Sequence, residues 1–245
     1  MFTSILHLLS TLTAVMTVLA PFPYFWRIYK TQSTDSVSVL PVILIFCSCY
    51  TWVMYARLVN SIFPLFVTYG IGMLASIAFG GIYYHWTHDH ARIHKLFGLA
   101  FYVLAGYTFY YSLGTSGASN QSDNAVKNTL GVLSGVVNLA LYASPLETVK
   151  DVIEKRDAST IPIIISVIFL MNSVIWVLYS KAEDDLLVLV PNAIGLALCV
   201  IQVVLYLMYY PRRVVDAQPT QSQHHILLRQ ATATAISMRL DSDHI

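Results

Sequence analysis

Ser144-Pro145-Leu146, Trp176-Val177-Leu178-Tyr179 and Val190-Pro191-Asn192-Ala193-Ile194-Gly195 punctuate one stretch of this chain, residues 144–210, and a looser version of the same stretch runs over residues 20–84. Trp176 follows Pro145 by 31 residues, and Trp52, in Trp52-Val53-Met54-Tyr55, follows Pro21 by the same interval. Beyond a polar loop, Asn192-Ala193-Ile194-Gly195 faces Tyr69-Gly70-Ile71-Gly72, the loop of the earlier copy being one residue longer. Few residues are identical. Spacing and hydrophobic pattern carry the match, which is the form an old internal duplication takes. Two similar halves imply a site between them.

Of 245 residues, 56% are hydrophobic, 13% aromatic and only 11% charged, and the mean hydropathy is +0.63. That is too apolar for an ordinary soluble domain. Apolar runs of about 20 residues, the helix length that crosses a bilayer core, account for most of the chain, so it reads as an all-α polytopic membrane protein. A net charge of +1 with 14 Lys plus Arg excludes a nucleic-acid partner, which demands a basic surface. Cys47, Cys49 and Cys199 fall inside apolar spans. Cys47 and Cys49 stand about 200° apart on a helix, so they do not jointly grip a metal, and all three are read as packing residues.

Seven spans are expected, at 4–26, 37–56, 62–84, 96–113, 129–149, 161–180 and 186–210. The first lacks the basic start and small-residue cleavage site of a secretory signal and is read as a retained helix. One face of the membrane then holds Arg27, Lys30, Arg92, Lys95, Lys150, Lys155, Arg156, Arg212, Arg213 and the tail residues Arg229 and Arg239, against Arg57, Lys127 and Lys181 on the other. The excess of positive charge marks the cytoplasmic side, so the N-terminus lies outside. Residues 1–84 form a first three-helix repeat, 96–113 a linker helix and 129–210 a second three-helix repeat. Residues 211–245, polar and without periodicity, are expected to be a mobile cytoplasmic tail. Because one span separates the copies, both cross in the same direction and are parallel repeats (3+1+3). A carrier uses that symmetry, since two similar halves rocking against each other expose a central site to either side.

These residues carry a family resemblance. Leu19-Ala20-Pro21, Arg27-Ile28-Tyr29-Lys30, Ser33-Thr34-Asp35, Leu40-Pro41 and Trp52-Val53-Met54-Tyr55 in the first repeat resemble the SWEET sugar facilitators. So do Tyr142-Ala143-Ser144-Pro145-Leu146, Ile161-Pro162, Asn172, Trp176-Val177-Leu178-Tyr179 and Val190-Pro191-Asn192-Ala193-Ile194-Gly195 in the second. The resemblance covers residues 19–210. It implies bidirectional uniport of a mono- or disaccharide, most naturally across the plasma membrane, by a small unit of the kind that assembles into homo-oligomers.

No Asp, Glu, Lys or Arg falls in the core of a span. Intramembrane ionisable groups are the usual mark of ion coupling, so a neutral solute moving down its own gradient is expected, with no cofactor. Such a solute, rich in hydroxyls, needs flat apolar faces for its C–H surfaces and amides or hydroxyls for its OH groups. Trp52 and Trp176 occupy matching positions, and Ser48 and Asn172 stand four residues before them, on the same helical face. Asn192 follows Pro191, and an amide at that depth must find partners. The resemblance carries a sugar pocket onto Trp52, Trp176 and Asn192, and places Tyr69 where the family has its first-repeat asparagine. It further implies a proline tetrad, Pro21, Pro41, Pro145 and Pro162, acting as a hinge near the cytoplasmic side, and an external gate at Tyr55, Tyr179 and Asp185.

His85, His88, His90 and His94, with Asp89 among them, have spacings open to metal binding or pH sensing. The other repeat has no such cluster, and no metal is expected there. A related PQ-loop carrier of amino acids in an organelle membrane would need an intramembrane acid, and none is present. A retinal receptor would need a Lys in span seven, and an enzyme a constellation of acids, His or metal ligands at membrane depth. The chain has neither.

Overall fold

The computed structural model describes residues 2–34, 38–141, 143–158, 161 and 163–209. The described elements are α1 (Phe2–Leu19), α2 (Phe22–Thr31), α3 (Leu40–Leu58), a π-helical bend at Ile62–Phe66, α4 (Val67–Trp86), α5 (His90–Thr115), α6 (Asp123–Ala140), α7 (Ala143–Lys155), α8 (Ile163–Ala182) and α9 (Leu186–Met208). Six stretches, Thr3–Thr31, Leu40–Leu58, Ile62–Trp86, His90–Thr115, Ile163–Ala182 and Leu186–Met208, are long and apolar enough to cross a membrane. The seventh crossing is α6, whose 18 residues span about 27 Å at 1.5 Å per residue. Its first turns carry Asp123, Asn124, Lys127 and Asn128, which explains why composition alone does not single it out.

The expected fifth span, 129–149, differs from the helix found. Ser122 caps α6 by accepting the Ala125 N–H at 3.3 Å, so the helix opens six residues early and shortens the Gly/Ser/Asn-rich loop. It stops at Ala140, and α7 restarts at Ala143 with Pro145 as its third residue. The first crossing is broken in the same place: α1 ends at Leu19 and α2 begins at Phe22 with Pro21 as its N-cap. Pro41 is the second residue of α3. These prolines stand where a helix begins and its first N–H groups have no intrahelical partner, so the missing donor is harmless and the break is permanent. Pro162 and residues 210–245 lie outside the described residues.

Packing repeats with the sequence. In the first half α1 lies on α4 and α4 on α3; in the second, α6 lies on α9 and α9 on α8. Between the halves α1 packs on α8 and α6 on α3, one contact made twice with the roles exchanged. That reciprocity is what two parallel repeats about an axis along the membrane normal require. The linker α5 packs on α3 and α6. Its Tyr107 hydroxyl donates to the Thr51 carbonyl at 3.1 Å and meets Ser134 Oγ at 2.9 Å, tying the linker to both halves. Phe25 stacks on Phe79 at 4.4 Å in the core under α2. Large apolar side chains cover the outside, Phe101 at 69% and Ile164 at 76% exposure among them, and in a protein of this hydropathy that surface faces lipid. The turns at 59–61 and 183–185 lie at the end where α1 begins; the turn at 87–89 lies at the opposite end.

Candidate functional site between the repeats

One buried cluster is built from both halves: Trp52, Tyr55 and Leu65 from α3 and the bend, Trp176, Tyr179 and Val188 from α8 and α9, with Ala14 and Ala56. Six of its members come as repeat mates, Trp52 with Trp176, Tyr55 with Tyr179, Leu65 with Val188. Trp52 is 0% and Trp176 2% exposed, so neither indole is an interfacial belt residue. Each meets its own tyrosine edge to face at 5.4 Å, the arrangement the ring quadrupoles favour. Tyr69, partly buried, stands between the two indoles, stacked on Trp52 at 5.7 Å and tilted against Trp176 at 5.8 Å. The phenol ring thus occupies the space between the expected platforms.

Polar groups surround these rings. Trp52 Nε1 and Asn172 Oδ1 are buried without a hydrogen-bond partner, which a stable core avoids, since each such group forfeits its hydration with nothing in return. Ser48 donates to Asn138 Oδ1 at 2.9 Å, joining α3 to α6 across the halves. Asn192 Nδ2 donates to the Val188 carbonyl of its own helix at 2.8 Å, beside Pro191, which stands inside α9. The structure therefore brings Trp52, Tyr69 and Trp176 together, and shows Asn192 satisfied locally.

Above the rings, toward the end where α1 begins, the halves are joined again. Tyr55 donates its hydroxyl proton to Asp185, whose Oδ1 and Oδ2 lie at 3.3 and 3.1 Å. Asp185 is also the N-cap of α9, accepting from the Leu187 and Val188 N–H groups at 3.1 and 3.2 Å, so one carboxylate serves both helix and closure. Tyr179 meets Ser61 Oγ at 3.4 Å. Ser61 precedes Asp185 by 124 residues, as Tyr55 precedes Tyr179 and Trp52 precedes Trp176. The closure is one contact written in both copies.

Asn138 and Ser61 escaped the reading of the sequence. The repeat mate of Asn138 is Ala14, so comparing the copies offered no matching polar residue there; the mate of Ser61 is Asp185, and that pairing was the signal that could have found it. At the opposite end, His90 and His94 pack on Tyr84 at 5.0 and 5.9 Å, and Asp89 caps α5 through the Arg92 N–H at 3.0 Å. A lateral groove of about 1040 Å³, lined by Phe46, Tyr50, Gly80, Phe97 and Leu104 among others, runs between α3, α4 and α5 and does not include the tryptophans.

A family model described as "Sugar efflux transporter for intercellular exchange" matches the chain twice, over residues 4–91 and 128–214. The chain is 27% identical over 221 residues to "Bidirectional sugar transporter SWEET15" of Oryza sativa subsp. indica, covering 88% of this chain and 66% of that protein. It thus spans just under two thirds of that relative's length. It is 28% identical over 195 residues to "Bidirectional sugar transporter SWEET8" of Arabidopsis thaliana, covering 78% of this chain and 81% of that one. The solved structure of a eukaryotic SWEET transporter superimposes with a TM-score of 0.75 at 22% identity, over 85% of this chain and 96% of that chain, a likeness of fold. With both repeats matched by the family model and the seven-helix, 3+1+3 fold shared, this integral membrane protein belongs to the family of sugar efflux transporters for intercellular exchange.

Proposed function

We propose that the protein is a sugar uniporter that carries a mono- or disaccharide in either direction by alternating access of its two three-helix bundles. One observation carries the reading: the repeat-related indoles of Trp52 and Trp176 are buried in one cluster built from both halves, each against Tyr69, and Trp52 Nε1 is buried without a hydrogen-bond partner. Indole faces take the C–H surfaces of a sugar ring. Trp52 Nε1 donates to a hydroxyl oxygen, Asn172 Oδ1 accepts a hydroxyl proton, and Ser48, Asn192 and Tyr69 supply further polar contacts. Tyr69, which lies against both indoles, turns aside when sugar enters.

The Tyr55–Asp185 and Tyr179–Ser61 contacts close one end of the site. The breaks at Pro21 and Pro145 and the helix start at Pro41 let the other end open and shut; Pro162, the fourth proline of the expected hinge, lies outside the described residues. A uniporter needs nothing beyond a gradient, so no cofactor, ion or chemical step enters, and the relatives are named as transporters rather than enzymes. The excess of Arg and Lys at the end opposite the Tyr55–Asp185 closure supports a plasma-membrane orientation with the C-terminus in the cytoplasm and the N-terminus outside; assembly into homo-oligomers is expected of so small a unit. Uptake of labelled glucose and sucrose into proteoliposomes tests the reading, with loss of flux in Trp176→Ala and Asn192→Ala variants that still reach the membrane.

A further inference from the structure

The two copies of the closure are not equal. Where Tyr55 has the carboxylate of Asp185, its mate Tyr179 has only the Ser61 hydroxyl, at 3.4 Å. The surroundings differ in step. The residue beside Tyr55 is Gly131, so close that a Cβ there would lie 2.9 Å from the Tyr55 ring. Its repeat mate, 124 residues earlier, is His7, whose ring packs edge-on against Tyr179 at 5.3 Å and against Phe63 at 6.2 Å. His7 Nε2 lies 2.9 Å from Glu183 Oε1. Glu183 is held in place by its own N–H, which donates to the Tyr179 carbonyl at 3.0 Å.

We infer that His7 and Glu183 form a second, proton-sensitive latch, which supplies the weaker copy of the closure with the charge that Ser61 lacks. The latch joins α1 of the first repeat to the turn after α8 of the second, so that end opens only when it breaks. This rests on the alternating-access reading above. The side chains are 26% and 41% exposed, so protons reach them from water. The titratable groups facing His7 are Tyr179 from α8 and Glu183 from the turn, with Asp185 beyond Tyr179 and engaged by Tyr55. From the 62–66 bend it meets Phe63, which does not titrate. A neutral imidazole donates an ordinary hydrogen bond to the Glu183 carboxylate. A protonated one makes a charge-assisted bond, about twice as strong. Acid therefore tightens the latch and slows opening.

The test uses the full chain in proteoliposomes with equal pH on both faces, so orientation in the vesicle does not matter. Uptake above that of empty vesicles establishes transport independently of the latch. Sugar uptake is then followed from about pH 8 to about pH 5, the interval over which an imidazole changes charge. Wild-type uptake should fall about two- to five-fold with acid, the range a part-exposed ion pair supports. His7→Gln and Glu183→Gln should abolish that slope at the higher rate. His7→Lys, permanently cationic, should be flat at the lower rate. A wild-type profile without slope, or a slope that survives in both Gln variants, overturns the latch while leaving the transport reading intact.

Discussion

Tyr69 lies ring on ring with Trp52, 5.7 Å between centroids and 16° from parallel, in the position where the family resemblance expects an asparagine. The rest of the site can be understood as an arrangement around that ring. The two indoles proposed to take a sugar ring lie against a phenol here, and the phenol belongs to the first repeat alone, since its mate is Asn192.

Replacing Tyr69 with Asn should therefore widen the space between the platforms. The expected outcome is a higher ratio of sucrose to glucose flux than in the wild type, measured by parallel uptake of the two labelled sugars. The loss of two aromatic contacts should lower stability by about 1–3 kcal/mol, read as a lower melting temperature in detergent.

The closure makes a second prediction. Tyr55→Phe removes the hydroxyl that Asp185 accepts, a bond to a charged group worth about 1.5–3 kcal/mol, and leaves the cap of α9 intact. Asp185→Ala removes both, adding about 1 kcal/mol for the lost cap. Thiol labelling of a cysteine placed at Ala56 should accelerate in both variants, and only Asp185→Ala should also lower the melting temperature through α9.

Gly131 offers a third. A methyl group there would lie 2.5 Å from Leu187 Cδ1 and 2.9 Å from the Tyr55 ring, closer than packed atoms come. Gly131→Ala should push Tyr55 away from Asp185, at a cost of about 1–3 kcal/mol for overpacking. Faster labelling at the same reporter position, without change in the sugar preference, is the expected outcome.

Much of this was legible in the chain because the duplication is spaced rather than spelled. Equal intervals from Pro21 to Trp52 and from Pro145 to Trp176 forecast the repeat-related indoles; Tyr55 bonds to Asp185 and Tyr179 meets Ser61, and their reading as an external gate is part of the proposal. What could not be read is what the copies do not share. Asn138 stands opposite Ala14 and His7 opposite Gly131, so each is visible only when the fold sets it against its partner. Glu183, beside Asp184 and Asp185, has the look of a solvated turn until α1 brings His7 to within 2.9 Å. The early start of α6 did carry a signal, Ser122 followed three residues later by the N–H it caps, but the Gly and Ser around it read equally as loop. Asn192 reads as an amide in need of a partner; the Val188 carbonyl, one turn earlier in the same helix, provides it.

The central claim, that paired indoles between two duplicated bundles hold an uncharged sugar, is tested most directly by one comparison. Labelled glucose and sucrose uptake should be measured in proteoliposomes holding the wild type, Trp176→Ala or no protein. The account predicts saturable uptake of at least one of the two sugars by the wild type, and uptake at the empty-vesicle level for Trp176→Ala inserted in equal amount. Wild-type uptake no faster than in empty vesicles across both sugars, or undiminished uptake by Trp176→Ala, would contradict it.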